Sequence, residues 1–216
     1  MKGMILIFGL LGVMILLISG CTDYDTGPGG EIPGTEIPEG TATQTETYGG
    51  TKETLSENYK TDGIISEGEY SNHKTLSEGL FDLYWTASGD TFYAGITGKS
   101  TGWVAIGFEP SSNMKDADII LGGVKSDGAY IYDMYSTGNF GPHPPDTELQ
   151  GINNINNYEG TEKSGETTIE FSRKLNTGDP FDKVIKPGSG QKIIWALADS
   201  DEPSFKHNIK KGTATI

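Results

Sequence analysis

Between residues 81 and 198 the chain repeats one local pattern seven times: a short run of β-branched and aromatic residues closed by a turn or loop. The runs are FDLYWT (81–86), TFYAGIT (91–97), WVAIGF (103–108), ADIILGGV (117–124), AYIYDMY (129–135), TTIEFS (167–172) and KIIWALA (192–198). Ser88-Gly89-Asp90, Gly98, Ser126-Asp127-Gly128 and Gly188-Ser189-Gly190 stand between them. β-branched and aromatic side chains suit a pleated, half-buried surface, and Gly, Ser and Asp supply tight-turn backbone. No segment sustains a helical period. The pattern predicts an all-β domain, a sandwich or a barrel. The run 103–108 is almost continuously apolar, so it is expected to be covered on both faces. Met114 follows in a strand-to-strand loop, facing whatever occupies the end of the sandwich. The stretch 138–158, rich in Pro and Asn, predicts a long irregular loop, a kind of segment that is usually functional or mobile.

The first sixty residues have a different character. Lys2 precedes an apolar run (4–18) that ends in Ser19-Gly20-Cys21. An apolar stretch of this length ending in small residues is read as a secretory signal, here 1–20, rather than a persistent membrane span. The ending ISGC resembles the lipobox of prokaryotic lipoproteins, in which Cys21 is lipidated and begins the mature chain; an ordinary signal peptide or an uncleaved anchor is the alternative. Cys21 is the only cysteine. An intramolecular disulfide, a CxxC metal site and the CxxCH attachment of c-type haem are therefore excluded. Residues 21–58 read as the lipidated cysteine and an acidic Gly/Pro/Thr-rich linker with the near-repeat EIPGTEIPEG, too polar to fold. The folded region is expected at 59–216.

Charge narrows the partners. Of the formal −14, residues 22–58 hold eight acids against one lysine, and residues 59–216 hold 22 acids against 14 bases. A net-negative domain lacks the basic stripe that nucleic acid requires. Acidity suits a secreted domain that remains in solution, and it is compatible with docking on a basic patch of another protein.

Six segments in order resemble DOMON domains: DGIISEGEY (62–70), GWVAIGF (102–108), NMKDADIILGGV (113–124), YIYDMY (130–135), TTIEFSRKLNTGD (167–179) and IIWALADSDEPSFKHNIKKG (193–212). The likeness covers residue 62 to the C-terminus. Haem-binding members of that family, similar to the cytochrome domain of cellobiose dehydrogenase, are immunoglobulin-like antiparallel β-sandwiches that hold haem b without covalent bonds between a methionine and a histidine. The resemblance carries those roles onto Met114, just before ADIILGG, and His207, in FKHNIKKG. Other members lack haem and are thought to bind sugars or to serve as interaction modules.

Met114 and His207 suit axial ligation chemically. A thioether is a soft, neutral ligand that favours ferrous iron, and an imidazole is a stronger neutral one. Two ligands approaching opposite haem faces come from segments distant in sequence, as these do. Each residue also has an ordinary reading, core filler for Met114 and surface for His207. Met134 reads as strand packing and His143 as a loop residue or a competing ligand. His73 reads as exposed near a turn. Trp103, Phe108 and Tyr132 are core or porphyrin-packing residues, and Lys206 and Lys210 are solvated or meet haem propionates. Arg173, the only arginine, is expected at a strand end and needs a carboxylate partner if buried. Asp116 and Asp118, or Asp199, Asp201 and Glu202, fit turn and strand-end roles better than a calcium site. No HExxH or Walker-type run occurs.

The resulting expectation is an extracytoplasmic b-type cytochrome domain, lipid-anchored to the cell membrane, that exchanges electrons with a membrane-bound or extracytoplasmic oxidoreductase and is not itself an enzyme. The alternatives are a haem-free carbohydrate- or ligand-binding module on the cell surface, and haem capture for transport.

Overall fold

The computed structural model describes residues 53–216, so the leader at 1–20, Cys21 and most of the 21–58 linker lie outside the described residues. Ten strands follow in chain order: β1 (Asn72–Leu76), β2 (Phe81–Ser88), β3 (Thr91–Gly98), β4 (Val104–Phe108), β5 (Asp118–Lys125), β6 (Gly128–Tyr135), β7 (Asn157–Lys163), β8 (Glu166–Lys174), β9 (Lys192–Leu197) and β10 (Lys210–Thr215). They form two five-stranded sheets, β1-β2-β3-β8-β7 and β10-β9-β4-β5-β6, in which every neighbouring pair is antiparallel. The all-β sandwich is as expected, and each of the seven apolar runs is a strand whose ends fall within two residues of the run.

The irregular stretch 138–158 is shorter than the sequence suggests. Asp146–Leu149 form a 3-10 turn, and β7 already begins at Asn157. β7 escapes a hydrophobicity reading because NYEGTEK is polar on both faces and lies at a sheet edge. Its hairpin to β8 turns through Ser164 and Gly165, both at positive φ (56° and 78°), as the strand-matching turn type requires.

Glu53, within the linker of the sequence reading, already contacts the sandwich. The Glu53 carboxylate accepts hydrogen bonds from the Asn72 side chain at 2.9 and 3.1 Å and from the Ala87 amide at 3.1 Å.

Between the sheets, alternate residues interdigitate. Phe81, Phe92, Phe108 and Phe171 are fully buried there, each contributing about 1.5–3 kcal/mol through burial. The two sheets differ on their outer faces. β2 alternates buried and half-buried residues through its first half, as a strand with one wetted face does. β4 is buried at every position, so the expectation that both its faces are covered holds. Its inner face packs into the core. Its outer face joins a second apolar cluster containing Trp103, Ala105, Ile119, Leu121, Met134 and Ala198.

Candidate functional site

A cavity of about 1130 Å³ lies against that outer face. The floor comes from alternate residues of adjacent strands: Ala105 and Gly107 on β4, Ile119 and Leu121 on β5, Tyr132 and Met134 on β6, Ile194 and Ala196 on β9. Small residues occupy the central strand and larger ones flank it, which leaves a shallow trough. Gly107 sets its depth: a Cβ there would come within 2.8 Å of the Ile194 Cγ1 and 3.1 Å of the Ile119 Cγ1.

Two loops close over the trough. The first runs from Ser136 to Pro145 and contributes Asn139, Phe140, Pro142, His143 and the two following prolines. It is pinned along its length. The Tyr135 amide donates to the Pro144 carbonyl (3.1 Å), the Thr137 amide to the Pro142 carbonyl (3.2 Å), and the Met114 amide to the Asn139 carbonyl (3.4 Å). The second loop, 199–209, contributes Pro203, Phe205, Lys206 and His207. Its two ends are stapled by Asn208, whose side-chain amide donates to the Asp199 carboxylate at 2.6 Å and accepts from the Asp199 amide at 3.1 Å. At its root Gly102 is required, because a Cβ there would sit 2.2 Å from the Ser200 nitrogen.

Met114 and His207 both line this cavity and are both half-buried. They arrive from opposite ends of the strands. Met114 lies in the β4–β5 loop, next to the Phe108–Asp118 pair, and His207 follows β9 beyond the Val104–Leu197 pair. Residues 53–216 contain two methionines and three histidines. Both methionines, and His143 as well as His207, line the one cavity. Burial first, and then Lys211, holds the His207 imidazole below its ordinary pKa. Burial first, and then His207, does the same for His143. Both rings are thus uncharged at neutral pH, with a nitrogen lone pair available. His143 Nδ1 and Trp103 Nε1 are buried without any hydrogen-bond partner.

The cavity revises several side-chain readings. It stands on a sheet face rather than at the end of the sandwich, because the long loops fold back along the strands. Met134 packs as expected but also forms part of the floor. Trp103 and Tyr132 line the cavity, whereas Phe108 belongs to the inter-sheet core. Lys206 and Lys211 stand at the mouth, and Lys210 is not among the lining residues. Phe140 and Phe205, which sequence reasoning passed over, are 82% and 44% exposed at the mouth. Only their place on loops bracketing the two histidines could have singled them out. His73 is on β1 rather than at a turn, stacked on Tyr84 (4.1 Å between centroids) and 2.8 Å from Asp82.

Arg173 acquires its partner. Fully buried on β8, it donates to both oxygens of Asp118 at 2.7 and 3.1 Å, to Asp182 at 3.2 Å and to the Lys183 carbonyl at 2.9 Å. Asp133 stands 3.7 Å away. Asp118, the first residue of β5, thus has the expected strand-end position and there serves an interior ion pair. Asp116 accepts from the hydroxyls of Ser111 (2.5 Å) and Tyr135 (3.2 Å), a loop-closing role.

The model of the DOMON domain family matches residues 77–198. DBH-like monooxygenase protein 1 of Mus musculus is 29% identical over 157 residues, which is 70% of this chain and 24% of that protein. Its Homo sapiens counterpart is 31% identical over 150 residues, 67% of this chain and 23% of that protein. The chain thus spans about a quarter of the length of these relatives. Among solved structures, the cytochrome domain of Myriococcum thermophilum cellobiose dehydrogenase superposes with a TM-score of 0.48 at 14% identity, over 67% of this chain and 82% of that one.

Proposed function

The chain belongs to the DOMON domain family, and from that premise we propose that it is an electron-transfer module that holds one non-covalent haem b in the cavity on the outer sheet face, with Met114 and His207 as axial ligands. One observation carries the reading: a thioether and an uncharged imidazole, 93 positions apart in sequence, line a single apolar cavity from opposite ends of its floor.

The residues present fit such a group. The trough over Ala105, Gly107 and Ala196 accepts a flat apolar body. Sulfur and neutral nitrogen are donors that iron accepts, and two filled axial positions favour electron transfer over oxygen chemistry. When bound, haem supplies a one-electron couple at its iron. The protein's part is to fix the donors, exclude water and set the potential. The pinned 136–145 loop and the Asn208 staple hold the two donor loops, and the apolar floor excludes water. Lys206 and Lys211 at the mouth offer cations to carboxylates at a haem edge, and the unpartnered Trp103 N–H is free to donate to a bound group.

In this reading the module is extracytoplasmic. Cys21 carries the lipid that anchors it to the membrane, residues 22–58 hold it away from the surface, and a membrane-bound or co-secreted oxidoreductase is its redox partner. The reaction chemistry belongs to the partner.

The deciding measurement is an absorption spectrum of the purified protein supplied with haem. Stoichiometric uptake is expected, with a sharp Soret band, narrow reduced α and β bands of six-coordinate haem b, and reversible reduction without loss of haem. A protein that stays colourless in excess haem would overturn the proposal and favour a carbohydrate- or ligand-binding module. Ready loss of haem to an acceptor protein would turn it towards haem capture.

A further inference from the structure

Besides Met114 and His207, the cavity lining holds two further side chains with iron-binding atoms, Met134 on the β6 floor and His143 on a loop. Resting on the cytochrome reading above, we propose that His143 is a reserve axial ligand: its imidazole takes the position opposite His207 when the Met114 sulfur leaves it.

Topology makes Met114 and His143 alternatives for one position. The β4–β5 loop carrying Met114 and the loop after β6 carrying His143 leave the second sheet at the same end, where Phe108 pairs with Asp118 and Asp118 with Tyr135. The two loops are joined by the hydrogen bond from the Met114 amide to the Asn139 carbonyl. His207 enters from the other end of the sheet. Met134 is packed into the floor on β6, so the two loop-borne donors that share an end are the two that compete, and His207 is the ligand they have in common.

The state of His143 is that of a donor without an acceptor. Its Nδ1 is buried and has no hydrogen-bond partner. A buried polar group left unpaired is destabilising, and buried side-chain nitrogens normally have a partner. Its backbone is also held in place at low entropic cost. Pro142 precedes it, Pro144 and Pro145 follow, and the Pro142 and Pro144 carbonyls both accept backbone hydrogen bonds. A ring carried on so constrained a segment is in position before any ligand arrives.

The exchange is balanced. One iron–sulfur bond breaks and one iron–nitrogen bond forms. Thioether and imidazole are each neutral two-electron donors, so the charge and electron count at iron are unchanged. Imidazole supports ferric iron better than thioether does, so the exchanged form has the lower potential.

The test uses the full chain reconstituted with haem, as wild type, Met114→Ala, His143→Ala and Met114→Ala/His143→Ala. Absorption, EPR, carbon monoxide binding and midpoint potential are read for each. Met114→Ala is expected to remain six-coordinate and low-spin with two imidazoles, to resist carbon monoxide, and to have a lower potential than wild type. The double variant is expected to become five-coordinate and high-spin, to bind carbon monoxide, and to regain six-coordination with added imidazole. A second double, Met114→Ala/His143→Gln, keeps the side-chain bulk and separates ligand loss from collapse of the loop. Met114→Ala that is already five-coordinate and indistinguishable from the double overturns the inference and leaves the Met114–His207 reading intact. Six-coordination that persists in both doubles also overturns it. Wild type that takes up no haem removes the cytochrome reading itself.

Discussion

Arg173 and Asp118 meet in the interior between the sheets as a two-point ion pair, 2.7 and 3.1 Å long, with both side chains fully buried. The pair joins β8 of one sheet to the first residue of β5 in the other, at the end of that sheet from which the Met114 loop leaves. Asp182 and Asp133 crowd the same guanidinium. One cation therefore stands among three buried carboxylates, and the balance is fragile.

Replacing Arg173 with Met should cost about 3–5 kcal/mol, because carboxylates are left buried without their cation. Thermal unfolding measures this. Arg173→Met/Asp118→Leu should recover a large part of the loss, since one uncompensated charge leaves together with its partner. No recovery in the double variant would mean that the pair does not act as a unit.

Acidity of the same cluster gives a pH dependence with a definite sign. Burial first, then the neighbouring Asp182 charge, raises Asp133 to about 7. Burial first, then the charge of Asp133, raises Asp146 to about 8. Neither Asp146 carboxylate oxygen has a partner. A carboxyl raised in the folded state contributes stability that is complete below its unfolded value near 4 and is lost as pH rises through 7 and 8. Stability should therefore increase by on the order of 2 kcal/mol between about pH 8.5 and about pH 6.5. The depressed His143 and His207 act in the opposite sense only as pH falls below about 6.5. Asp146→Asn should flatten the slope of melting temperature against pH over that range, and an unchanged slope would remove Asp146 as its source.

Filling the trough should block the cavity without breaking the sandwich. In Gly107→Val the added methyls displace Ile194 and rise into the floor, at an overpacking cost of about 1–3 kcal/mol. Haem titration should show at least a tenfold weaker uptake by folded protein, as judged by circular dichroism. Full-affinity binding by this variant would move the haem site elsewhere.

Anchoring is testable apart from redox chemistry. Cys21→Ser expressed in a bacterium that processes lipoproteins should pass from the membrane fraction to the soluble one, and should lose incorporation of labelled fatty acid. Wild-type protein without label would exclude lipidation.

The edge strands mark how far the sequence could be read. The seven strands found from apolar runs are the six interior ones and β6, the edge strand whose outer face forms part of the cavity floor. The three that were missed, β1 (NHKTL), β7 (NYEGTEK) and β10 (KKGTAT), are all sheet edges. An edge strand bonds through its backbone on one side only and is commonly polar, which protects it from pairing with other chains, so its side chains carry little of the signal.

Sequence alone determined the all-β class, because short β-branched and aromatic runs bounded by turn residues, with no sustained helical period, bury as strands. It also singled out Met114 and His207, through a family resemblance that spans the folded region. Tertiary structure decided the rest. It set the cavity on the outer face of β10-β9-β4-β5-β6, brought His143 and Met134 into it, and joined Arg173 to Asp118. Those relationships depend on how loops after β4, β6 and β9 fold back across a sheet, and a loop's course is fixed by contacts with residues distant in sequence rather than by its own composition.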